Sequence, residues 1–358
     1  MTAVVALPRR PLFWLSIWLA ASALIGRPGL AGAVEQFGNI RFVTPGPTIT
    51  TLPMEVARAR GFDKEEGFTA VFSAATGSVA IKAMLAGDFD FTLAAGSAMT
   101  AAVSGAPVRV IYVHVAKSLY FLYAREGISD LKGLEGKRVG IDAIGGTQDL
   151  AVRQNMRLAG ADDAKTIFIA MGYQNTPPSM IAGAIDAGVI TPPKEFQLIN
   201  SPGKFVNLGF LGDLAPGLTG GVATTERMIR EHPDKVQAVL RAQVKGHRLL
   251  LENRAGTIPI MSQFLGLSAR DAAQSYDTTV YPYFGRTGAV SLAQQEAFIA
   301  EAVKELKLPR APEPGKISLS RIFRTSSNVR SRPGWECFSA GCAWPDRLSR
   351  CQSLVCQG

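Results

Sequence analysis

The chain has 358 residues, 47% of them hydrophobic and 19% charged, which is too apolar for a disordered chain and too polar for a multispanning membrane protein. Its formal charge of +9 sits at the two ends: residues 1–33 carry three Arg and no acid, and residues 316–358 carry seven Lys/Arg against Glu336 and Asp346. That leaves 28 basic and 27 acidic residues over 34–315, with no basic face of the kind nucleic acid requires. Cysteine and tryptophan are equally uneven: Cys337, Cys342, Cys351 and Cys356 lie in the last 24 residues with Trp335 and Trp344, and Trp14 and Trp18 lie in the first 20.

Arg9 and Arg10 precede the apolar run Leu12–Ile25, and Ala31-Gly32-Ala33 follows. This order is that of a secretory signal peptide over residues 1–33, cleaved before Val34. Fourteen helical residues span only about 21 Å, short of the roughly 30 Å hydrocarbon core. The expectation is a mature protein released into the periplasm. Arg9-Arg10 leaves twin-arginine export open beside the general secretory route.

The body alternates short apolar strands with capped helices, the pattern of an α/β protein. Ile40–Thr44 reads as a strand, and Thr50 or Thr51 then caps a helix with Pro53 in its first turn and Gly61 at its stop. Thr69–Ser73 is a strand, 77–86 a helix, and Phe89–Leu93 a strand, with Gly96-Ser97 predicted to open the next helix. Val108–Ala116 and Leu119–Ala124 are strongly β-prone. A second unit begins at Lys137, with a strand at Arg138–Asp142, a turn at Gly145-Gly146-Thr147 and a helix over Gln148–Ala159. Ile167–Ala170, Gly188–Thr191, Phe205–Leu208 and Gly220–Ala223 read as further strands. After them the chain is predicted to be helical over 224–231, 234–252, 256–265, 269–276 and 291–306.

One internal echo links the two units. Met84-Leu85-Ala86-Gly87-Asp88-Phe89-Asp90-Phe91 resembles Met180-Ile181-Ala182-Gly183-Ala184-Ile185-Asp186-Ala187. In each, a helix stops on Gly, an acid follows, and a short strand begins.

Enzyme signatures are missing: the chain has no GxSxG, HExxH, Walker A or GxGxxG. Of three His, His114 lies inside an apolar strand, His247 on the Val236/Leu240/Val244/Leu251 stripe of a helix, and His232 before Pro233. Packing explains the first two better than catalysis, and neither these His nor the distant Cys converge on a metal site. No cofactor is expected. What the body does have is small polar residues where strands hand over to helices: Thr48, Thr76-Gly77-Ser78, Gly96-Ser97, Gly146-Thr147 and Thr191. Each alone fits a helix cap. Five such turns at strand C-termini point to a shared cleft, where free N–H and hydroxyl donors suit an oxyanion.

These residues stand in a familiar frame. Leu52-Pro53-Met54-Glu55-Val56-Ala57-Arg58-Ala59-Arg60-Gly61-Phe62 with Glu65-Glu66-Gly67, Leu85-Ala86-Gly87-Asp88-Phe89-Asp90, Asp130-Leu131-Lys132-Gly133 with Gly136-Lys137-Arg138-Val139-Gly140, and Ala182-Gly183-Ala184-Ile185-Asp186-Ala187 occur in order over about 38–320. In these segments the chain resembles periplasmic substrate-binding proteins of ABC importers, in the nitrate/sulfonate/taurine group that includes thiamine-precursor-synthesis-like proteins. The resemblance implies a type II-like two-lobe periplasmic binding protein fold, each lobe a mixed sheet flanked by helices. Lobe 1 would be 34–116 plus 222–320 and lobe 2 would be 117–221, hinged where strands near Val113–Lys117 and Thr219–Val222 cross. It also implies that Thr48, Thr76, Gly77, Ser78, Gly96, Ser97, Gly146, Thr147 and Thr191 bind a small ligand such as a sulfonate, nitrate or carboxylate. With no Arg or Lys in these loops, N–H and hydroxyl donors would hold it. The partners implied are that ligand and a membrane permease with its cytoplasmic ATPase. The protein itself would be a monomer. The alternative is an enzyme on the same fold, in pyrimidine or thiamine-precursor synthesis.

Residues 324–358 depart from that pattern, since a closing helix is expected where an Arg-, Ser-, Cys- and Trp-rich stretch stands. It reads as non-native or out-of-frame sequence with no packed partner. Two disulfides, in any of three pairings, or a zinc knot are the alternatives.

Overall fold

The computed structural model of the chain describes residues 36–75, 77–213, 217–313, 315 and 317. The predicted signal peptide and the stretch 324–358 lie outside the described residues.

Chain order builds two sheets in succession. Gly38–Thr44 (β1), Leu52–Ala59 (α1), Phe62–Glu65 (α2), Phe68–Ala74 (β2), Gly77–Ala86 (α3), Phe91–Thr92 (β3), Ala95–Val103 (α4) and Val108–Val115 (β4) come first. Phe121–Arg125 (β5), Arg138–Ile141 (β6), Thr147–Leu158 (α5), Ile167–Ala170 (β7), Thr176–Ile181 (α6), Ala187–Ile190 (β8), Glu195–Ile199 (α7) and Phe205–Phe210 (β9) form the second group. The chain then returns to the first group with Gly220–Thr225 (β10). Helices Glu226–Glu231 (α8), Pro233–Glu252 (α9), Arg254–Leu265 (α10), Ala269–Ser275 (α11), Tyr281–Tyr283 (α12) and Leu292–Glu305 (α13) follow.

The strand orders are β2-β1-β3-β10-β4 and β7-β6-β8-β5-β9. In each sheet the first three strands are parallel. The fourth strand, β10 or β5, runs antiparallel to both its neighbours. The chain passes between sheets twice, from Val115 to Phe121 and from Phe210 to Gly220. These passages run side by side: Leu211 N–H donates to Tyr120 O at 2.9 Å, and Thr219 N–H to Val115 O at 3.2 Å.

The sequence echo has a structural cause. Asp90 accepts from Arg41 N–H at 2.9 Å while Arg41 Nη2 donates to Gly87 O at 2.9 Å. In the second sheet Asp186 accepts from Arg138 N–H at 2.9 Å, and Arg138 Nη2 donates to Gly183 O at 3.3 Å. Gly87 and Gly183 stand at φ +94° and +78°, where a side chain would be strained. Each motif therefore clamps a helix end and a short strand to the neighbouring parallel strand, β1 or β6, of its own sheet.

The C-terminal helices cover the first sheet. Gly246 lets α9 press against α1, since a Cβ there would overlap Pro53 O and come within 2.8 Å of Ala57 N. Two predicted boundaries shift. β10 continues to Thr225, whose side chain accepts from Met228 N–H and caps α8, so that helix starts at Glu226 rather than 224. α7, after the Pro192-Pro193 pair, was not predicted because prolines and short length hide its periodicity.

Candidate functional site

The carboxyl ends of the parallel strands in both sheets open on one cleft holding about 520 Å³ of empty space. From the first sheet come Thr48 and Thr50 after β1, Gly77 at the start of α3, and Gly96 and Ser97 in the first turn of α4. From the second come Asp142 after β6, Thr147 and Gln148 opening α5, Tyr173 after β7, and Thr191 after β8. Tyr120 and Thr219 enter from the two passages between the sheets.

Of the residues singled out in the sequence, Thr48, Gly77, Gly96, Ser97, Thr147 and Thr191 are therefore brought together. Gly146 lies beside them, lining an adjoining groove that it shares with Gly77, Ser97 and Thr147. Thr76 lies outside the described residues, and Ser78 falls in the first turn of α3 with its side chain outside them too. Sequence reasoning missed Thr50, Tyr120, Asp142, Gln148, Tyr173 and Thr219. Asp142 and Gln148 bracket the Gly145-Gly146 turn, and that adjacency was the available signal.

One expectation needs correcting. α4 opens at Ala95 with Ala94 as its N-cap, so Ser97 is its third residue and caps nothing. The β3 end is held instead by Thr92 Oγ1, which accepts from Ala94 N–H at 3.1 Å. Among the described residues the Ser97 hydroxyl has no hydrogen-bond partner. It is free to meet a ligand. Gly96 is required by close approach: a Cβ would overlap Leu218 O and stand 2.9 Å from Thr147 Cγ2. The first turn of α4 thus touches the first residue of α5 across the cleft.

A small network fixes the second-sheet wall. Gln148 Oε1 accepts from Asp142 N–H at 2.8 Å, and its Nε2 donates to Thr191 Oγ1 at 2.8 Å. Asp149 Oδ2 accepts from Gly145 N–H at 2.8 Å, tying the turn to the helix that follows it. Tyr120 hydroxyl and Thr147 Oγ1 share a hydrogen bond of 2.6 Å. On the opposite wall, Thr48 and Thr50 hydroxyls share one of 2.9 Å. The first helical turns of α3, α4 and α5 leave backbone N–H groups without intrahelical partners, a positive end for each.

Asp142 is the one ionisable carboxylate among the lining residues, and no Lys, Arg or His stands with it. Its Oδ1 is buried without a hydrogen-bond partner among the described residues. Burial raises its carboxyl above the ordinary range, while the Tyr173 N–H pulls the other way. Tyr120 and Tyr173 hydroxyls are both pushed up by burial and stay neutral.

Behind the first-sheet wall lies a polar cluster. His114 Nε2 donates to Thr50 O at 2.7 Å, so a residue of β4 holds the turn that carries Thr48 and Thr50. His247 Nδ1 and the Tyr112 hydroxyl share a bond of 2.6 Å, and the two imidazoles lie 5.5 Å apart. Burial lowers His247 to about 4 and His114 well below the usual imidazole range. Both rings are packed, neutral and out of the cleft. Among the described residues there is no group of three or more metal-ligating side chains, and no helix is long and apolar enough to cross a membrane.

Known proteins share this architecture. The chain is similar to the alkanesulfonate-binding protein SsuA from Xanthomonas axonopodis pv. citri bound to MOPS, with TM-score 0.65 and 18% identity over 77% of this chain and 95% of that one. It is similar to the periplasmic nitrate-binding protein NrtA from Synechocystis PCC 6803, with TM-score 0.68 and 13% identity over 82% and 89%. At such identities the likeness is one of fold: two mixed sheets flanked by helices, as in periplasmic binding proteins. In sequence the chain is 22% identical over 231 residues to the riboflavin-binding protein RibY of Chloroflexus aurantiacus. That match takes in 61% of this chain and 64% of the relative, a little under two thirds of its length. The sequence model described as NMT1/THI5 like matches residues 49–255, more than half of the chain, and the protein belongs to that family.

Proposed function

We propose that the protein is a periplasmic solute-binding protein, a monomer that captures a small solute in the cleft and hands it to the permease and ATPase of an ABC importer without transforming it. The observation that carries this reading is the cleft itself. Strand C-termini of two separate sheets face it, and among the described residues two chain passages join the halves. In this reading the lobes are 34–116 plus 222–320 and 117–221, and they close on the solute by rotation about those passages. The free N–H groups opening α3, α4 and α5, with the hydroxyls of Thr48, Ser97 and Thr147, receive acceptor oxygens of the solute. The lining residues include no His or Cys, which favours capture over the enzyme alternative.

The test uses the chain from Val34 to Phe323. Solute released on unfolding the purified protein is identified by mass spectrometry, and melting is followed with added sulfonates, carboxylates, nitrate and pyrimidines. A ligand at 100 times its Kd adds about 2.7 kcal/mol of stability, and X-ray scattering should show a smaller radius of gyration with it bound. Recovery of a chemically altered solute, or no stabilisation by any of these and no released solute, overturns the reading.

A further inference from the structure

We infer that the solute carries a nitrogen-bound proton, which it donates to Asp142, together with an acceptor group for the helix N-termini opposite. Oxyanions lacking such a proton would then be excluded as ligands. This rests on the reading of the cleft as a solute site.

Asp142 lines the cleft, and its Oδ1 is a buried carboxylate oxygen with no partner among the described residues. Buried polar atoms in native proteins are nearly always paired, and an orphan oxygen on a residue that lines a binding cleft calls for a donor from the ligand. The Tyr173 N–H acts on the carboxyl, but no side-chain donor reaches Oδ1 among the described residues. Gln148 Nε2 is turned to Thr191, and the Tyr120 and Thr147 hydroxyls are turned to each other. No Lys, Arg or His lines the cleft to neutralise the carboxylate. A simple anion would therefore set a second negative charge beside the first, in a site of low dielectric where repulsion is strong. An ammonium, amidinium or imide N–H reverses the sign of that interaction and forms a charge-assisted hydrogen bond. Burial already raises the Asp142 carboxyl; a cationic or N–H donor would draw it back down. The remaining lining groups, hydroxyls and free backbone N–H, are suited to acceptors, so the ligand presents unlike ends to unlike walls.

Calorimetric titrations at pH 7.5 with pairs differing only in the donor test this: ethanesulfonate against 2-aminoethanesulfonate, acetate against guanidinoacetate, and 1,3-dimethyluracil against uracil. In parallel, the solute released from purified protein is identified. The expected result is that a donor-bearing member binds at least tenfold more tightly than its partner, or that the released solute carries N–H. Asp142→Asn should weaken that ligand at least tenfold while leaving the melting temperature of the empty protein unchanged or raised. Binding should also weaken as pH falls and Asp142 protonates; Tyr120 and Tyr173, the titratable groups facing it, stay neutral throughout. Ethanesulfonate, acetate or dimethyluracil binding as tightly as its partner would overturn the inference alone. So would affinity within twofold after Asp142→Asn, binding that weakens with rising pH, or a released solute without N–H. Absence of any bound or released solute overturns the solute-binding reading itself, and this inference with it.

Discussion

The half of the molecule around β1–β4 and β10 and the half around β5–β9 share one strand order and one Arg–Asp–Gly clamp, yet burial works against the charge of imidazoles in the first and of carboxyls in the second. The first half encloses His114 and His247, each 2% exposed. The second encloses Glu195, 7% exposed with Oε2 unpartnered among the described residues, and Asp142 at its cleft edge. Burial pushes Glu195 up to about 7 and His247 down to about 4. The buried acids of the first half, Glu55 and Asp63, are instead held by Arg58 and by the N–H groups of Lys64 and Ala70. Burial therefore makes the imidazoles resist gaining a proton and the carboxyls resist losing one.

The largest expected effects come from removing one member of this opposition. Between pH 4.5 and 7 folded Glu195 keeps a proton that the unfolded chain releases, so its contribution falls as pH rises, by on the order of 3 kcal/mol. His247 works in reverse: from pH 6.5 down to about 4 the unfolded chain takes up a proton that the fold refuses, at a cost on the order of 3 kcal/mol. Over their shared range the two slopes oppose. Urea unfolding of Glu195→Gln should therefore show stability rising more steeply with pH from 4 to 6.5 than in the parent, and His247→Gln, which leaves His114 in place, should show a shallower rise. Two variants with the same slope as the parent would break the comparison.

A smaller effect is expected where the halves touch. Gly96→Ala puts a methyl against Leu218 O and Thr147 Cγ2, and overpacking of this kind costs about 1–3 kcal/mol. Thermal melting reads the loss, and calorimetry should show weaker ligand binding because the walls are wedged apart. Tyr120→Phe removes the bond to Thr147, a part-buried hydrogen bond worth about 1 kcal/mol of stability. Ser97→Ala sharpens the picture most finely. Since Ser97 caps nothing, stability should move by less than about 0.5 kcal/mol. Affinity should fall by about 0.5–1.5 kcal/mol for a neutral acceptor. A stability loss with unchanged affinity would take Ser97 out of the site.

Much of the fold was legible because its signals are local. Gly87 and Gly183 mark backbone that only glycine adopts easily, and the acids after them have a single strand to clamp. Six predicted site residues reached the cleft for the same reason: they are small polar residues at strand ends, and an α/β sheet sends its strand ends to one edge. What was hidden depends on distance in sequence. Nothing near Asp142 reveals that Tyr173 and Thr191 will share its wall. Tyr120 read as part of a strand, and only the neighbouring passage at Leu211 turns it toward Thr147. The start of α4 was placed at Gly96-Ser97 rather than Ala95 because Ala94, a poor capping residue, takes the N-cap position, with Thr92 holding its backbone.

The position of β10 also decides when each half can be finished. Among the described residues β4 joins the first sheet only through β10, the last of their strands in chain order, which stands between β3 and β4. A growing polypeptide therefore has every strand of the second sheet in hand before the first sheet can close. The half that begins at the N-terminus is the later of the two to be completed, and its early strands must wait with an open edge for Gly220–Thr225 to arrive. Synthesis order and assembly order run opposite to one another in this chain.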